Sequence, residues 1–188
     1  WFYHVPGLKI VAPSTPEEAK GLMISAIDDP NPVLFFEHKG LYRSLKGDVC
    51  VDLYNLPLGK ANIVRTGSNA TIVAYGKAVH WAVDLVTKLD ISVEIVDLRT
   101  LVPWDRETVL ASIEKTNRVL VLHEANITGG IGAEIASTIS EEAFELLDAP
   151  VKRIASLDTP IPFASHIEKN VYLPHKRFEN ALRELLEY

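Results

Sequence analysis

Four short stretches carry residue types that could do chemistry. His123-Glu124 closes an apolar run and is followed by Gly129-Gly130-Ile131-Gly132. If a strand gives way to a helix there, the first helical amides and the positive dipole end would face an anion, with His123 as acid or base. Glycines so placed equally serve a tight turn and close packing. Their spacing fits neither the dinucleotide fingerprint nor the P-loop, which needs a Lys-Ser/Thr pair, so the structural reading is favoured. Asp97-Leu98-Arg99-Thr100 offers a guanidinium whose planar fork could grip a carboxylate substrate. The simpler account is an Asp–Arg pair ordering the Leu101-Val102-Pro103-Trp104 loop.

Ala26-Ile27-Asp28-Asp29-Pro30-Asn31 ends a helical pattern in prolines. The last carbonyls of a helix lack intrahelical partners and lie at its negative end, a geometry able to hold a hard cation. A solvated helix stop, with Asp29 or Asn31 bonding the backbone, explains the spacing as well. The histidines at 4, 38, 80, 123, 166 and 175 show no ligand-pair spacing, and Ser25, Ser44 and Ser68 sit in no nucleophile elbow.

The elements that position these residues read as α/β. Leu8–Ala12 is a strand, and Thr15 with Pro16 and Glu18 makes a capping box with proline at the first helical position. The next helix should bury Ala19, Leu22, Met23, Ala26 and Ile27. Val33–Phe36 reads as a buried strand, and residues 40–60 as a connector with a short strand near Val49–Leu53. Ile63-Val64 and Thr71–Tyr75 flank a Gly67-Ser68-Asn69 turn, as a hairpin or an antiparallel edge. Strand–helix alternation continues: Val93–Leu98, a helix from Asp105, Val119–Leu122, a helix after the glycines, Val151–Ala155 and a closing helix. The uniformly apolar Val119–Leu122 suits the sheet centre. The pattern predicts an α/β fold with a three-layer, mostly parallel sheet of about five strands, preceded by a partial βαβ piece.

The chain has 188 residues, 19 basic against 25 acidic for a net charge of −6, with the basic residues only in short clusters. That argues against nucleic acid as a partner. A single cysteine, Cys50, excludes an intrachain disulfide and a thiolate zinc site. No apolar run reaches the roughly 18 residues of a membrane span. The opening Trp-Phe-Tyr-His-Val-Pro-Gly lacks an initiator Met and signal-peptide features, so the chain is expected to be a piece of a longer protein.

In order, these segments resemble one family. His4-Val5-Pro6-Gly7-Leu8-Lys9, Pro13-Ser14-Thr15-Pro16, Ala19-Lys20-Gly21-Leu22, Asn31-Pro32, Glu37 and Leu41-Tyr42-Arg43 look like the beta subunit of 2-oxoacid dehydrogenases. So do Pro57–Ala61, Val96–Thr100, Pro103-Trp104-Asp105, Lys115-Thr116, His123-Glu124-Ala125, Asp148-Ala149-Pro150, Asp158-Thr159-Pro160 and Leu173-Pro174. Val102–Asp105, and His123–Ala125 with Thr128–Gly130, lean toward the branched-chain, 2-oxoisovalerate type. Pyruvate and acetoin dehydrogenase beta subunits, or a non-catalytic interaction module of the same fold, are the alternatives.

The resemblance implies oxidative decarboxylation of 3-methyl-2-oxobutanoate with thiamine diphosphate and magnesium, the acyl group passing to a lipoyl-lysine. It implies a division into residues 1–45, the end of a pyrimidine-binding domain; 46–60, a linker; and 61–188, a transketolase C-terminal-like domain. It places the activating glutamate, a catalytic histidine and the magnesium motif outside this chain; Gly47-Asp48-Val49 does not continue into that Gly-Asp-Gly motif. Glu37 and Glu124 do not match the activator's position, so no catalytic or cofactor-binding residue is assigned here. The resemblance favours a potassium ion on main-chain oxygens of Ala26, Ile27, Asp29 and Asn31, reversing the balance struck on spacing alone. It implies partners too: an alpha subunit, a second beta subunit, and an acyltransferase subunit-binding domain docked on Asp148 and the terminal carboxylate of Tyr188. The implied setting is the bacterial cytoplasm or the mitochondrial matrix, with no membrane partner.

Overall fold

A computed structural model describes all residues, Trp1–Tyr188. In chain order the elements are β1 (Lys9–Val11), α1 (Pro16–Asp28), β2 (Val33–Phe35), α2 (Leu41–Ser44), β3 (Asn62–Arg65), β4 (Ala70–Ala74), α3 (Lys77–Leu89), β5 (Val93–Asp97), β6 (Thr100–Val102), α4 (Arg106–Thr116), β7 (Val119–Asn126), α5 (Ile131–Glu142), β8 (Lys152–Ser156), α6 (Ser165–Ile167) and α7 (His175–Leu186). The larger sheet runs β3-β5-β4-β7-β8, parallel except for antiparallel β3 at one edge. It is the mostly parallel five-stranded sheet read from the alternation.

Strand periodicity explains the three layers. Ile72, Ile95, Leu120 and Leu122 point to one face, against Val79, Ala82 and Val86 of α3 and Phe178, Leu182 and Leu185 of α7. Their strand neighbours Val73, Val96, Val119 and Val121 point to the other, against Val109 and Ile113 of α4 and Ile131, Ile135 and Ile139 of α5. Buried on both sides, β4, β5 and β7 are mostly apolar, with Thr71, Glu94, Asp97 and His123 as buried polar exceptions.

A second, three-stranded sheet runs β2-β1-β6. β1 and β2 are parallel, while β6 comes from beyond β5 and pairs antiparallel with β1. The expected loop at Leu101–Trp104 thus starts as a strand, whose three residues are too few to show a period in sequence. The capping box forms as expected: Glu18 N–H donates to Thr15 Oγ1 at 3.2 Å, and the Glu18 carboxylate returns to the Thr15 amide at 3.2 Å. Prolines end α1 at Asp28.

Several expectations from sequence are corrected. α1 buries Glu18, Gly21 and Leu22, whereas Met23 and Ile27 are exposed. The covered face is rotated because residues 54–56 lie across Gly21, whose absent side chain leaves room for Tyr54 and Leu56. Val33–Phe35 is only half-buried, as an edge strand should be. No strand forms at 49–53. Of the two readings for β3 the antiparallel edge holds and the hairpin with β4 does not: β3 crosses to pair with β5, and Gly67 passes so close to Val93 that a Cβ would meet its backbone at 2.2 Å. The middle strand is β4, with β7 between it and β8.

Leu122 is fully buried between sheet and helices. Leu122→Ala should destabilise the fold by about 2–5 kcal/mol, the cost of lost burial plus a cavity. Thermal unfolding should show this as a Tm fall of roughly 5–15 °C; an unchanged Tm would contradict the assigned core.

Candidate functional site at the junction of the two sheets

The chain passes from one sheet to the other in two residues, Leu98 and Arg99. Arg99 takes φ +54°, a left-handed conformation uncommon for a side-chain-bearing residue, and its amide donates to Asp97 Oδ1 at 3.0 Å. Ala12, just past β1, donates its amide to the Arg99 carbonyl at 2.8 Å. The guanidinium donates to the carbonyls of Lys60 (3.2 Å) and Ala61 (3.0 Å) and lies 3.9 Å from Glu18 Oε1. Arg99 is thus spent on backbone and on Glu18, and the ordering role is what the geometry shows. One detail differs: Asp97 holds the Arg99 amide and leaves the guanidinium to other acceptors.

Glu18 is a hub. Its Oε2 accepts from the Ser14 amide (3.0 Å), the Ser14 hydroxyl (2.9 Å) and the Thr15 amide. His80 of α3 donates from Nε2 to the Ser14 carbonyl at 2.8 Å, adding a tie between the two units. Asp97 Oδ2 is buried without a hydrogen-bond partner, because the nearby Ser14 hydroxyl is committed to Glu18. Burial first, and the Glu18 carboxylate second, push the Asp97 carboxyl well above the usual carboxylate range. Asp97 therefore holds a proton at neutral pH.

A second cluster forms where β4 and β7 end. Their chains depart to opposite sides, β4 through α3 to β5 and β7 through α5 to β8, the arrangement that opens a crevice in parallel sheets. That crevice is filled here. His123 is fully buried, stacks on Tyr75 with centroids 6.2 Å apart, and donates Nδ1–H to the Ala125 carbonyl at 3.1 Å. Nε2 is then a bare, unpartnered acceptor. A Cβ on Gly130 or Gly132 would sit 2.6 Å from the ring, so the glycines exist to admit the imidazole. Burial, aided by Arg153, lowers the His123 pKa to about 4 and keeps it neutral. His123 is a packed core histidine, not an acid or base facing a ligand.

Glu124 turns outward and bonds His38 Nε2 at 2.5 Å, while His38 Nδ1 accepts the Gly40 amide at 3.1 Å. Burial and, second, Glu124 hold the Tyr75 phenol above its ordinary value. Beside this pair a cavity of about 510 Å³ opens, lined by Ser14, Thr15, Glu37, His38 and Tyr42 among others. Tyr42 donates its hydroxyl to Glu37 at 2.6 Å. The lining holds hydroxyls, an imidazole and a carboxylate but no lysine or arginine, so a diphosphate would find no counter-charge.

The remaining sequence candidates lie apart. Ala26 and Ile27 have no i+4 donors for their carbonyls, since Pro30 lacks an amide hydrogen and the Asn31 amide bonds Asp29 Oδ1 at 2.9 Å. Asp29 also pairs with the Lys9 ammonium, which holds its carboxyl below the usual range. Asp148 is exposed, 3.7 Å from the Arg118 guanidinium, in a hollow of about 840 Å³ with Ala136, Phe144 and Arg153. Tyr188 lines a different hollow with Lys152, Glu184 and Glu187. No three His, Cys, Asp or Glu side chains converge on a metal position. Sequence reading missed the burial of Asp97 and the His38–Glu124 bond; only the capping box marked Glu18 in advance.

Comparison with known proteins adds the family. Residues 59–177 match the family "Transketolase, C-terminal domain", and residues 1–44 match "Transketolase, pyrimidine binding domain". The chain is 46% identical over 192 residues to 2-oxoisovalerate dehydrogenase subunit beta 2, mitochondrial, of Arabidopsis thaliana, covering 100% of this chain and 53% of that protein. It is 46% identical to the Bacillus subtilis 2-oxoisovalerate dehydrogenase subunit beta, covering 100% and 58%. The same figure, 46%, holds for the Bacillus subtilis pyruvate dehydrogenase E1 component subunit beta, covering 97% and 57%. The chain spans about half the length of the curated relatives it matches. A split-gene transketolase solved as an inactive beta4 tetramer shares the fold at TM-score 0.80 and 23% identity, covering 99% of this chain and 59% of that one.

The buried acid has a pH consequence. Because the folded state keeps the Asp97 proton that the unfolded chain releases above about pH 4, stability is full below that value and declines as pH rises toward the raised folded pKa. One such proton gives a slope of about 1.4 kcal/mol per pH unit. Asp97→Asn keeps an acceptor for the Arg99 amide and removes the titration. Its Tm should vary less than the parent's between pH 5 and 8 and exceed it at pH 8; parallel Tm–pH curves would refute the protonated assignment.

Proposed function

This chain belongs to the transketolase C-terminal domain family, and from that premise we propose that it is the C-terminal part of the beta subunit of a thiamine-diphosphate-dependent 2-oxoacid dehydrogenase of the branched-chain type. The observation that carries the reading is 46% identity to 2-oxoisovalerate dehydrogenase beta subunits across the whole chain. In that reading thiamine diphosphate and magnesium would supply the decarboxylation chemistry. The residues present do not fit the cofactor. Glu37 and Glu124 are engaged by Tyr42 and His38, Glu18 and Asp97 are buried, and the cavity lined by Glu37 and His38 lacks cations. No step of decarboxylation is therefore assigned to residues of this chain.

What its residues do is hold the assembly together. The division into a pyrimidine-domain end at 1–45, a linker at 46–60 and a C-terminal domain at 61–188 draws support from the two matched stretches. Partners in this reading are an alpha subunit, a second beta subunit and an acyltransferase subunit-binding domain. The acyltransferase would meet exposed Asp148 and Tyr188. The potassium reading fits the helix stop, where the carbonyls of Ala26 and Ile27 have no donors and no loop hydrogen bond uses those of Asp29 or Asn31. No helix is long and apolar enough to cross a membrane. The reading places the protein in a bacterial cytoplasm or a mitochondrial matrix.

The full-length protein, assayed with an alpha subunit, thiamine diphosphate and magnesium, should favour 3-methyl-2-oxobutanoate over pyruvate by roughly tenfold or more in kcat/KM. A preference for pyruvate would overturn the branched-chain assignment. Calorimetry on this chain alone should detect no thiamine diphosphate binding, and tight binding would refute the absence of cofactor contacts.

Docking has a separate readout. Asp148→Lys should weaken acyltransferase binding several-fold and flatten its salt dependence, since a basic partner loses an attractive charge. Unchanged affinity and salt slope would remove Asp148 from the interface.

A further inference from the structure

Lys20 lies in the second turn of α1, and its ammonium is ringed by the carbonyls of three consecutive residues. Nζ donates to Cys50 O at 2.5 Å, Val51 O at 3.0 Å and Asp52 O at 2.9 Å. The Tyr54 ring lies alongside, 5.1 Å from Nζ to its centroid, and adds the attraction of an aromatic face for a cation. An ammonium has three N–H donors, and this cage uses all of them. Lys9, Lys60, Lys88, Lys115 and Lys152 each pair with a carboxylate, whereas Lys20 pairs with none.

The turn it binds has little else to hold it. Cys50, Val51, Asp52 and Leu53 are all exposed, Val51 at 94%, so apolar burial does not fix their backbone. Three carbonyl dipoles aimed at one point repel one another unless a cation sits among them. The neighbouring ties secure only residues 54–56: Tyr54 hydroxyl to Glu17 O (2.8 Å), Asn55 to Asp28 (3.0 Å), and Leu56 to Gly21 O (3.2 Å). The caged residues fall between the two matched family stretches, in the connector.

We propose that the Cys50–Asp52 turn is a receptor for one primary ammonium ion, and that Lys20 is its tethered ligand, clasping the connector onto α1. The receptor selects by donor geometry. A planar guanidinium does not present three donors in a cone, and a quaternary ammonium presents none.

Limited proteolysis with cleavage sites mapped by mass spectrometry tests this. Lys20→Ala should raise cleavage within residues 46–54 by about tenfold or more, the effect of losing a charged hydrogen-bonded group on local opening. Propylammonium, which replaces the deleted stem and charge, should restore protection saturably, and tetramethylammonium at equal ionic strength should not. Unchanged cleavage, or equal rescue by both salts, would overturn the proposal. Lys20→Arg keeps charge and stem and guards against a folding defect in the alanine variant. It should leave far-ultraviolet circular dichroism unchanged yet still show the accelerated cleavage; full protection in this variant would also overturn the receptor.

Discussion

Two short parallel strands leave an open edge on each side, and the whole front of this molecule depends on how one edge is closed. β1 takes β6 as its third partner, and β6 begins only three positions after β5 ends. The chain must therefore reverse between sheets within Leu98-Arg99, which forces Arg99 to φ +54° and packs Asp97 against the buried start of α1. The burial that closes the sheet also strips water from two carboxyls, Glu18 and Asp97. Glu18 is satisfied by three donors; Asp97 is left with one oxygen bare and keeps a proton instead of a charge.

The other ties between distant parts are also polar, each of a different kind. His80 donates to a backbone carbonyl, His38 bonds Glu124, and Lys20 sits among carbonyls. The large apolar clusters, by contrast, pack each face of the five-stranded sheet; from the front segment Ile10 and Ala12 enter one of them, with Tyr3 and Leu34 packed against it. Burial makes the main body; directional bonds fix how the first 60 residues sit on it.

This division bears on function. The sheet ends that would form a ligand crevice in many α/β proteins are filled by His123 and sealed by Gly130 and Gly132. Asp148 and the helix-end carbonyls of Ala26 and Ile27 are the groups on which the proposed docking and cation readings rest.

The sequence by itself determined the elements whose signals are local. The Thr15–Glu18 capping box, the proline stop at Asp28, the Phe178–Leu185 face of α7 and the apolar β7 are all legible, because hydrogen bonds and periodicity within a few residues define them. The family resemblance was legible as well, being carried by ordered runs along the chain. Tertiary structure alone decided that β3 pairs with β5, that β6 joins β1, that Met23 faces solvent and that Asp97 holds a proton. Each of these depends on residues tens of positions apart, and strand order, burial and desolvation do not exist until such residues meet.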